Sequence, residues 1–392
     1  MENKNILISG ASIAGPALAF WLHRFGFNPT IIERAPGIRQ GGYAIDFRGT
    51  AMQVLERMDI VGEIKKFETR AGKITIVDQN NKKLASMPDG FTSGELEILR
   101  GDLANVLYEA TKPYTEYIFD DSISKIDQTA TGVDVSCNRN APRKFDLVIG
   151  ADGLHSNVRS LVFGNEAEFM HHLGIYFAIF TAPNFLDLKD MAGLYYGTLG
   201  KRAGVFSAKR DTATSASFYF SSPAFEYDYR DISRQKQFIR DRFAGEKWQI
   251  PKMLQLMDEA DDFYFDSVSQ IRMDRWSSGR VALLGDAAGC ASPMSGMGTS
   301  MAVVGAYILA SELKNASGDY AIAFAKYEQA MRPFVTAAQK MAEGAEWFVP
   351  TTRLKQWLSL QIWKILPHTP WKNMMIEMPL KVANTVKLEA YA

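Results

Sequence analysis

Residues 5–33 read NILISGASIAGPALAFWLHRFGFNPTIIE, and this stretch decides the fold. Residues 5–9 are a short apolar run, which predicts a buried strand. Gly10-Ala-Ser12-Ile-Ala14-Gly15 breaks the run, and residues 16–25 continue as an apolar helix. Residues 28–33 form a second strand-like run that ends in an acid. Strand, glycine-rich turn, helix and strand make a βαβ unit whose helix N-terminus suits a pyrophosphate. Gly10, Ser12, Ala14 and Gly15 are its candidate contacts. Glu33, about 20 residues beyond the turn, stands where a ribose hydroxyl is held, with Arg34 beside it. Ser12 occupies the place of the usual middle glycine, so the backbone is expected to approach a pyrophosphate less closely there.

A second stretch, RVALLGDAAGCASPMSGMG at 280–298, follows the same pattern. The apolar run 281–284 predicts a strand, Gly285-Asp286 ends it, and the chain turns helical from residue 299. The loop's free N–H groups and the helix dipole favour a phosphate or an electron-rich ring edge. Asp286 can accept from a ribityl or ribose hydroxyl. Pro293, Gly296, Met297 and Gly298 are candidate cofactor contacts, and Pro293 and Gly296 are also candidate substrate contacts.

Three further segments belong with these. The run KFDLVI at 144–149 predicts one buried strand, closed by a turn holding Asp152 and Gly153. A helix is expected from Ser156, with Arg159 reaching a pyrophosphate near its start. His155, in the turn, reads as structural rather than as a base. Arg100 enters a helix directly behind a strand and is well placed for phosphate or ribityl oxygens. In GGYAIDFRG at 41–49, Asp46 and Arg48 are candidates as well. Arg48 either faces a cofactor or substrate or pairs with Asp46 at the surface.

Residues 163–269 differ in texture. Alternating strand-like segments and two helices, at 232–243 and 251–259, predict an antiparallel sheet inserted between the cofactor motifs. Phe177, Phe206 and Phe218 are candidate walls of a substrate cavity. Residues 73–77 and 84–87 read as a hairpin. Residues 117–119, 123–126 and 133–137 read as a small sheet. A helix over 319–332 is expected to end at Pro333, and Pro367, Pro370 and Pro379 predict an irregular tail. The helix at 353–366 has one apolar face (Leu354, Trp357, Leu358, Ile362, Trp363, Ile365), expected to pack on the body of the protein rather than on a membrane. The expected division is a discontinuous cofactor domain (1–72, 96–163, 270–332), a substrate domain (73–95, 164–269) and a bridging C-terminal helical region (333–392).

Composition narrows the classes of function. The 392 residues are 47% hydrophobic and 22% charged, a globular mixture. The 44 basic and 44 acidic residues cancel, so charge argues for neither nucleic acid nor acidic lipid. Two cysteines argue against a disulfide framework and, with no charged leader before an apolar core, lead us to expect a cytoplasmic protein; a monomer is expected as well. His171-His172 lacks further ligands at zinc spacing, so no metal is expected.

GASIAG (10–15), DLVIGADGLHSNVR (146–159) and GRVALLGDAAGCASPMSGMG (279–298), in this order, resemble the single-component FAD-dependent aromatic hydroxylases. GGYAIDFRG, EILRGDL (97–103), DDFYFDSVSQI (261–271) and VGAYILASEL (304–313) look most like the tetracycline-inactivating flavin monooxygenases of that family. The resemblance implies an α/β fold: a Rossmann-like FAD-binding domain, an inserted antiparallel sheet and a C-terminal helix. It implies that Glu33 binds the adenosine ribose, that Arg100 and Asp286 hold the flavin, and that Asp152-Gly153 serve both FAD and NADPH.

The chain has one dinucleotide fold and no second, which suits an NADPH that visits, reduces and leaves; FAD is expected to be non-covalent, since no Cys or His in the motif loops is placed as an attachment point. The implied reaction, with molecular oxygen, is hydroxylation of a polycyclic phenol or enol through a flavin C4a-hydroperoxide, most directly the inactivation of tetracycline. The cofactor carries that chemistry. No catalytic side chain is therefore assigned, Arg48 being the one candidate. The chain departs from the family at Gly289, Met297 and Ser300, where His, Gln and Asn are usual. A hydroxylase of aromatic polyketides or phenols, a flavin dehydrogenase that inserts no oxygen, and a flavoprotein that only sequesters its ligand remain as alternatives.

Overall fold

The strands Asn5–Ser9 and Asn28–Glu33 pair in parallel through the helix Ala14–Arg24, at the centre of a six-stranded sheet. The computed structural model describes residues 2–39, 44–69, 72–87, 94–189, 192–208 and 212–388. From one edge the sheet runs Ser277–Ser278, Val281–Leu283, Leu147–Gly150, Asn5–Ser9, Asn28–Glu33 and Glu116–Phe119. Every pairing but the first is parallel. Ile6, Leu7 and Ile8 are buried without a polar break, as a sheet covered on both faces requires.

Register brings the three turn motifs together. Ser9 lies opposite Gly150, and Gly150 opposite Leu283. The segments starting at Gly10, Ala151 and Leu284 therefore leave neighbouring strands side by side at their carboxyl ends, where open α/β sheets bind ligands.

Two strand expectations need correction. Residues 144–149 are two strands, not one. Arg143–Phe145 pairs with Gly132–Cys137 in a three-stranded antiparallel sheet, and Leu147–Gly150 joins the parallel sheet. The change of partner falls at Asp146, whose carboxylate accepts from the Asn5 N–H while its own N–H donates to the Asn5 carbonyl. Glu116–Phe119 lies not in the small sheet but at the edge of the parallel one, where the Tyr117 and Phe119 rings pack on Tyr108 of the helix Arg100–Thr111.

The inserted sheet has seven strands, in the order Tyr264–Ile271, Met170–Pro183, Ala213–Ser221, Lys201–Ala208, Gly193–Thr198, Ile74–Val77, Lys83–Ser86. The last two form the expected hairpin, and Ile74–Val77 pairs in parallel with Gly193–Thr198. Alternation along Met170–Pro183 sends Tyr176, Ala178 and Phe180 to one face and Ile175, Phe177 and Ile179 to the other. The helices Ile232–Phe243 and Ile250–Glu259 cover the first face through Ile239, Phe243, Met253 and Met257. The second face meets Met294, Phe348 and Val349.

Near the C-terminus proline was a poor guide. The helix Tyr320–Met341 runs through Pro333. That proline is exposed, where a freed carbonyl can be hydrated, and buried Phe334, Val335 and Ala338 anchor the turns beyond it. The tail is also regular: the turn Leu366–His368 leads into the helix Trp371–Ala383, which contains Pro379. Asn384 then fills the space beside Gly49 that a Cβ would need, and the Thr50 hydroxyl donates to the Val386 carbonyl at 2.9 Å.

The helix Arg353–Ile365 rests on the strand Lys83–Ser86, and Gln356 donates to the Gly197 carbonyl. Its apolar stripe was expected to pack inward; Leu354, Trp357, Ile362 and Ile365 instead face outward. The covered face presents Gln356, which bonds the Gly197 carbonyl, and buried Ser359. Among the described residues no helix is long and apolar enough to cross a membrane.

Candidate functional site

The Gly10 turn is tightly braced. The Gly10 N–H donates to the Ile32 carbonyl, and a Cβ on Gly10 would stand 2.6 Å from the Ala151 carbonyl oxygen. Glu33 spans the turn from below, accepting from the N–H groups of Ala11 at 2.9 Å and Ala35 at 2.8 Å. Ser12, instead of merely obstructing the backbone, uses its hydroxyl to accept from Arg100 at 2.8 Å. A serine in the glycine position thus seats the guanidinium over the turn. Arg34 is exposed, and its guanidinium lies over the Tyr229 ring.

Asp286 sits on the adjacent turn. Burial raises its carboxyl above the usual range, opposed by the Cys290 thiol and by the charges of Arg100 and Arg159. The following loop is held by its own side chains. Ser292, at φ +81°, accepts from the Met294 N–H, and the Ser295 hydroxyl accepts from the Met297 N–H. Pro293 and Gly296 are exposed, Gly298 is partly so, and Met297 is buried.

Gly289, Met297 and Ser300 are all buried. A Cβ at Gly289 would stand 2.7 Å from the Val335 side chain, so a larger residue there requires that side chain to shift.

The Asp152 carboxylate is engaged within the protein. The carboxylate accepts from the Ser9 and Ser156 hydroxyls and the Val158 N–H, so it is spent on tying the turn to the sheet. Burial raises its pKa. Gly153 follows it with a positive φ and open space around it. Arg159 does not reach toward a pyrophosphate. It is wholly buried and donates to the carbonyls of Leu154 and Ala287 and to Glu166.

His155 proves to be a cross-link. Its ring nitrogens bond Glu166 at 2.8 Å and Asp266 of the inserted sheet at 3.2 Å, and its ring stacks on Tyr229. Arg48 pairs with Asp46, Nε to Oδ2 at 2.7 Å; Arg48 is buried and Asp46 partly so, which takes the pair off the surface. Gly41, Gly42 and Tyr43 of that motif lie outside the described residues.

Of the three phenylalanines, Phe177 faces Met294, and Phe206 lies edge-on to Tyr195 on the same sheet face. Phe218 is a correction: it packs between Phe180 and Phe243 on the helix-covered face, where it cannot line a cavity.

Sequence reasoning missed Arg202. It is 7% exposed and sits among rings, 4.3 Å over Phe348 and 5.3 Å over Tyr195. Its Nη1 has no hydrogen-bond partner, and no carboxylate pairs with it among the described residues. Burial lowers its pKa to about 10. The signal was available: in KRAGVFSA a charge stands in phase with Gly204 and Phe206, where a strand's inward face is otherwise small or apolar.

The donors at the parallel sheet fit a dinucleotide carrying a polyhydroxylated chain. The helices Ala14–Arg24 and Gly298–Asn315 both begin without a side-chain cap and without an acid in the first turn, leaving N–H groups for an anion. Gly296, at φ +64°, has nothing within 4 Å of where a Cβ would be, which leaves its backbone open to a flat ring. Arg100 and Asp286 supply one cation and one acceptor at the same place.

The comparisons agree with that geometry. A family model described as "FAD binding domain" matches residues 3–342. A "Flavin-dependent monooxygenase" of Legionella longbeachae is 38% identical over 394 residues, covering 100% of this chain and 99% of its own. An uncharacterized protein of Mycobacterium tuberculosis (strain ATCC 25618 / H37Rv) is 48% identical over 342 residues, 86% of this chain and 92% of its own. The crystal structure of tetracycline destructase Tet(51) superposes with a TM-score of 0.85 at 37% identity, covering 99% of each chain.

Proposed function

The chain belongs to the FAD binding domain family and is an FAD-dependent monooxygenase, and from that membership we propose that it oxygenates a flat polycyclic enol or phenol with an acidic edge, tetracycline being the expected case. The observation that carries the substrate class is Arg202. A buried guanidinium without a counter-ion is costly, and an anionic ligand would relieve that cost. Around it Tyr195, Phe206 and Phe348 offer ring faces and edges to a planar molecule. Phe177 and Met294 continue that wall toward the 292–298 loop. When bound, the flavin supplies the activated oxygen. The residues of the chain bind the two partners, align them and keep water away.

In this reading FAD is held non-covalently. The Cys290 thiol is buried, which pushes its pKa well above the ordinary value and disfavours a reactive thiolate. Arg100, seated by Ser12, and Asp286 grip the flavin's polar chain, and Glu33 shapes the turn under the adenosine. Arg100→Ala and Asp286→Ala should each weaken FAD binding roughly ten- to a hundredfold, the loss of about 1.5–3 kcal/mol expected for a charge-assisted hydrogen bond. Fluorescence titration of apoprotein with FAD measures this, and parent-like affinity in both variants would remove them from the flavin site.

NADPH is the proposed electron donor, bound transiently. Incubating the enzyme with NADPH, oxygen and tetracycline should consume the drug. Mass spectrometry should show an oxygenated product or its breakdown, with loss of the near-ultraviolet band. An intact drug beside rapid turnover of another polycyclic phenol would move the enzyme to polyketide hydroxylation. Arg202→Leu should raise the KM for the drug by roughly ten- to a hundredfold through the lost charge-assisted bond. It should not lower the melting temperature, since it removes an unpaired buried charge. An unchanged KM would separate Arg202 from the substrate.

A further inference from the structure

The helix Arg353–Ile365 advances about 100° per residue. On that wheel Leu354, Trp357, Leu358, Ile362 and Ile365 form one stripe, and Gln356 and Ser359 lie opposite, against the protein. Leu354 is 66% exposed, Trp357 57% and Ile365 58%; beyond the turn Leu366–His368, Trp371 is 67% exposed. Large apolar side chains clustered in this way mark an interaction surface.

The charge pattern says of what kind. Residues 353–388 carry six Lys and Arg and one acid, Glu377, within a chain whose 44 basic and 44 acidic residues balance as a whole. Arg353 and Lys364, both exposed, border the stripe on one side, where their stems can lie along apolar material while the heads reach outward; Lys355 borders the other, its ammonium 5.6 Å over the Trp347 ring. We propose that this C-terminal helical face docks the enzyme on the surface of an anionic phospholipid bilayer. Apolar stripe, flanking lysines, tryptophans and an orientation that leaves the stripe outermost are the requirements of an interfacial helix. A two-fold pairing of the same face with a second copy would set its basic borders against each other. A lipid surface rewards each base by about fivefold in affinity. The proposal stands apart from the substrate reading, because neither Arg202 nor the flavin turns take part in it.

The test is sedimentation of the flavin-loaded full chain with vesicles of phosphatidylglycerol and phosphatidylcholine, against phosphatidylcholine alone. Binding is expected on the anionic vesicles, weakening with salt, with a blue shift of tryptophan fluorescence. Trp357→Ser with Trp371→Ser should abolish it. Arg353→Glu with Lys364→Glu should reduce it more than tenfold while bound flavin and melting temperature stay as in the parent. Equal binding to both vesicle types, or binding to neither, would overturn the proposal. So would a dimer by light scattering that Trp357→Ser returns to monomer, since a second copy would then own the face.

Discussion

Gly15→Ala is expected to yield protein purified without flavin. Gly15 opens the helix behind the first strand, and a Cβ there would overlap the Gly10 carbonyl oxygen and press on the Ile8 side chain. The obstacle is backbone, so no rotamer change relieves it. Gly10 cannot retreat either, because it is at φ +108° and close against the Ala151 carbonyl. The turn must shift as a unit, dragging the uncapped helix N-terminus and the Ser12 hydroxyl that seats Arg100. Several flavin contacts would be lost together, so affinity should fall more than a hundredfold, beyond the loss of one charge-assisted bond at about 1.5–3 kcal/mol. Gly26→Ala is the control. Gly26 has a positive φ but nothing near its missing Cβ, so that variant should bear backbone strain on the order of 1 kcal/mol and keep its flavin. Absorbance at the flavin band, normalised to protein, reads both. A Gly15→Ala protein as yellow as the parent would mean that the turn does not position the cofactor.

How much of this could be read in advance depends on which physical fact decided each element. Periodicity and glycine placement revealed the βαβ unit because both are local: Ile6–Ile8 alternate with nothing polar, and Gly10 and Gly15 sit where the chain must turn and pack. Arg100 was legible for the same reason, since a strand end fixes where the next helix begins. Arg159 was not. Its spacing places it near a phosphate-binding turn, but its partners, Glu166 and the Ala287 carbonyl, belong to other segments and take its donors first. Phe177 and Phe218 were indistinguishable by type. Strand parity separates them, yet which parity faces the helices follows only from where Phe243 lands. The C-terminal stripe shows the same limit: amphipathicity says that a helix has two faces, not which one the protein covers. Arg202 left a trace in its strand register, which became informative once its neighbours proved to be rings rather than carboxylates.

Asp266→Ala should destabilise the fold by about 3–5 kcal/mol, because it strips a partner from a buried cation. Asp266 is 2% exposed and takes bonds from His155, Tyr227 and Tyr264. Burial alone would lower the His155 pKa, but the hydrogen bonds and charges of Asp266 and Glu166 outweigh it and lift the imidazole from 6.5 to about 10. Burial would likewise raise Asp266, yet His155 and the two phenols bring it below the ordinary 3.8. The two shifts give stability opposite pH limits. A raised histidine contributes fully below its unfolded pKa of 6.5 and loses that contribution as pH rises through about 10. A lowered aspartate contributes above 3.8 and loses its share as pH falls through the depressed folded value. The parent should therefore be most stable between these limits and weaken steadily on the alkaline side. In Asp266→Ala the histidine loses its stronger support, so the alkaline slope should flatten as well as the whole curve drop. Chemical denaturation at several pH values distinguishes this from ordinary core damage, which lowers the curve without changing its slope. Because the cluster joins the turn after Leu147–Gly150 to the strand Tyr264–Ile271, loosening it should also unlock the cofactor-side sheet from the inserted one. Hydrogen exchange across Tyr264–Ile271 should then rise in the variant before global unfolding. Unchanged exchange there, with a parent-like alkaline slope, would reduce His155 to a bystander of the fold.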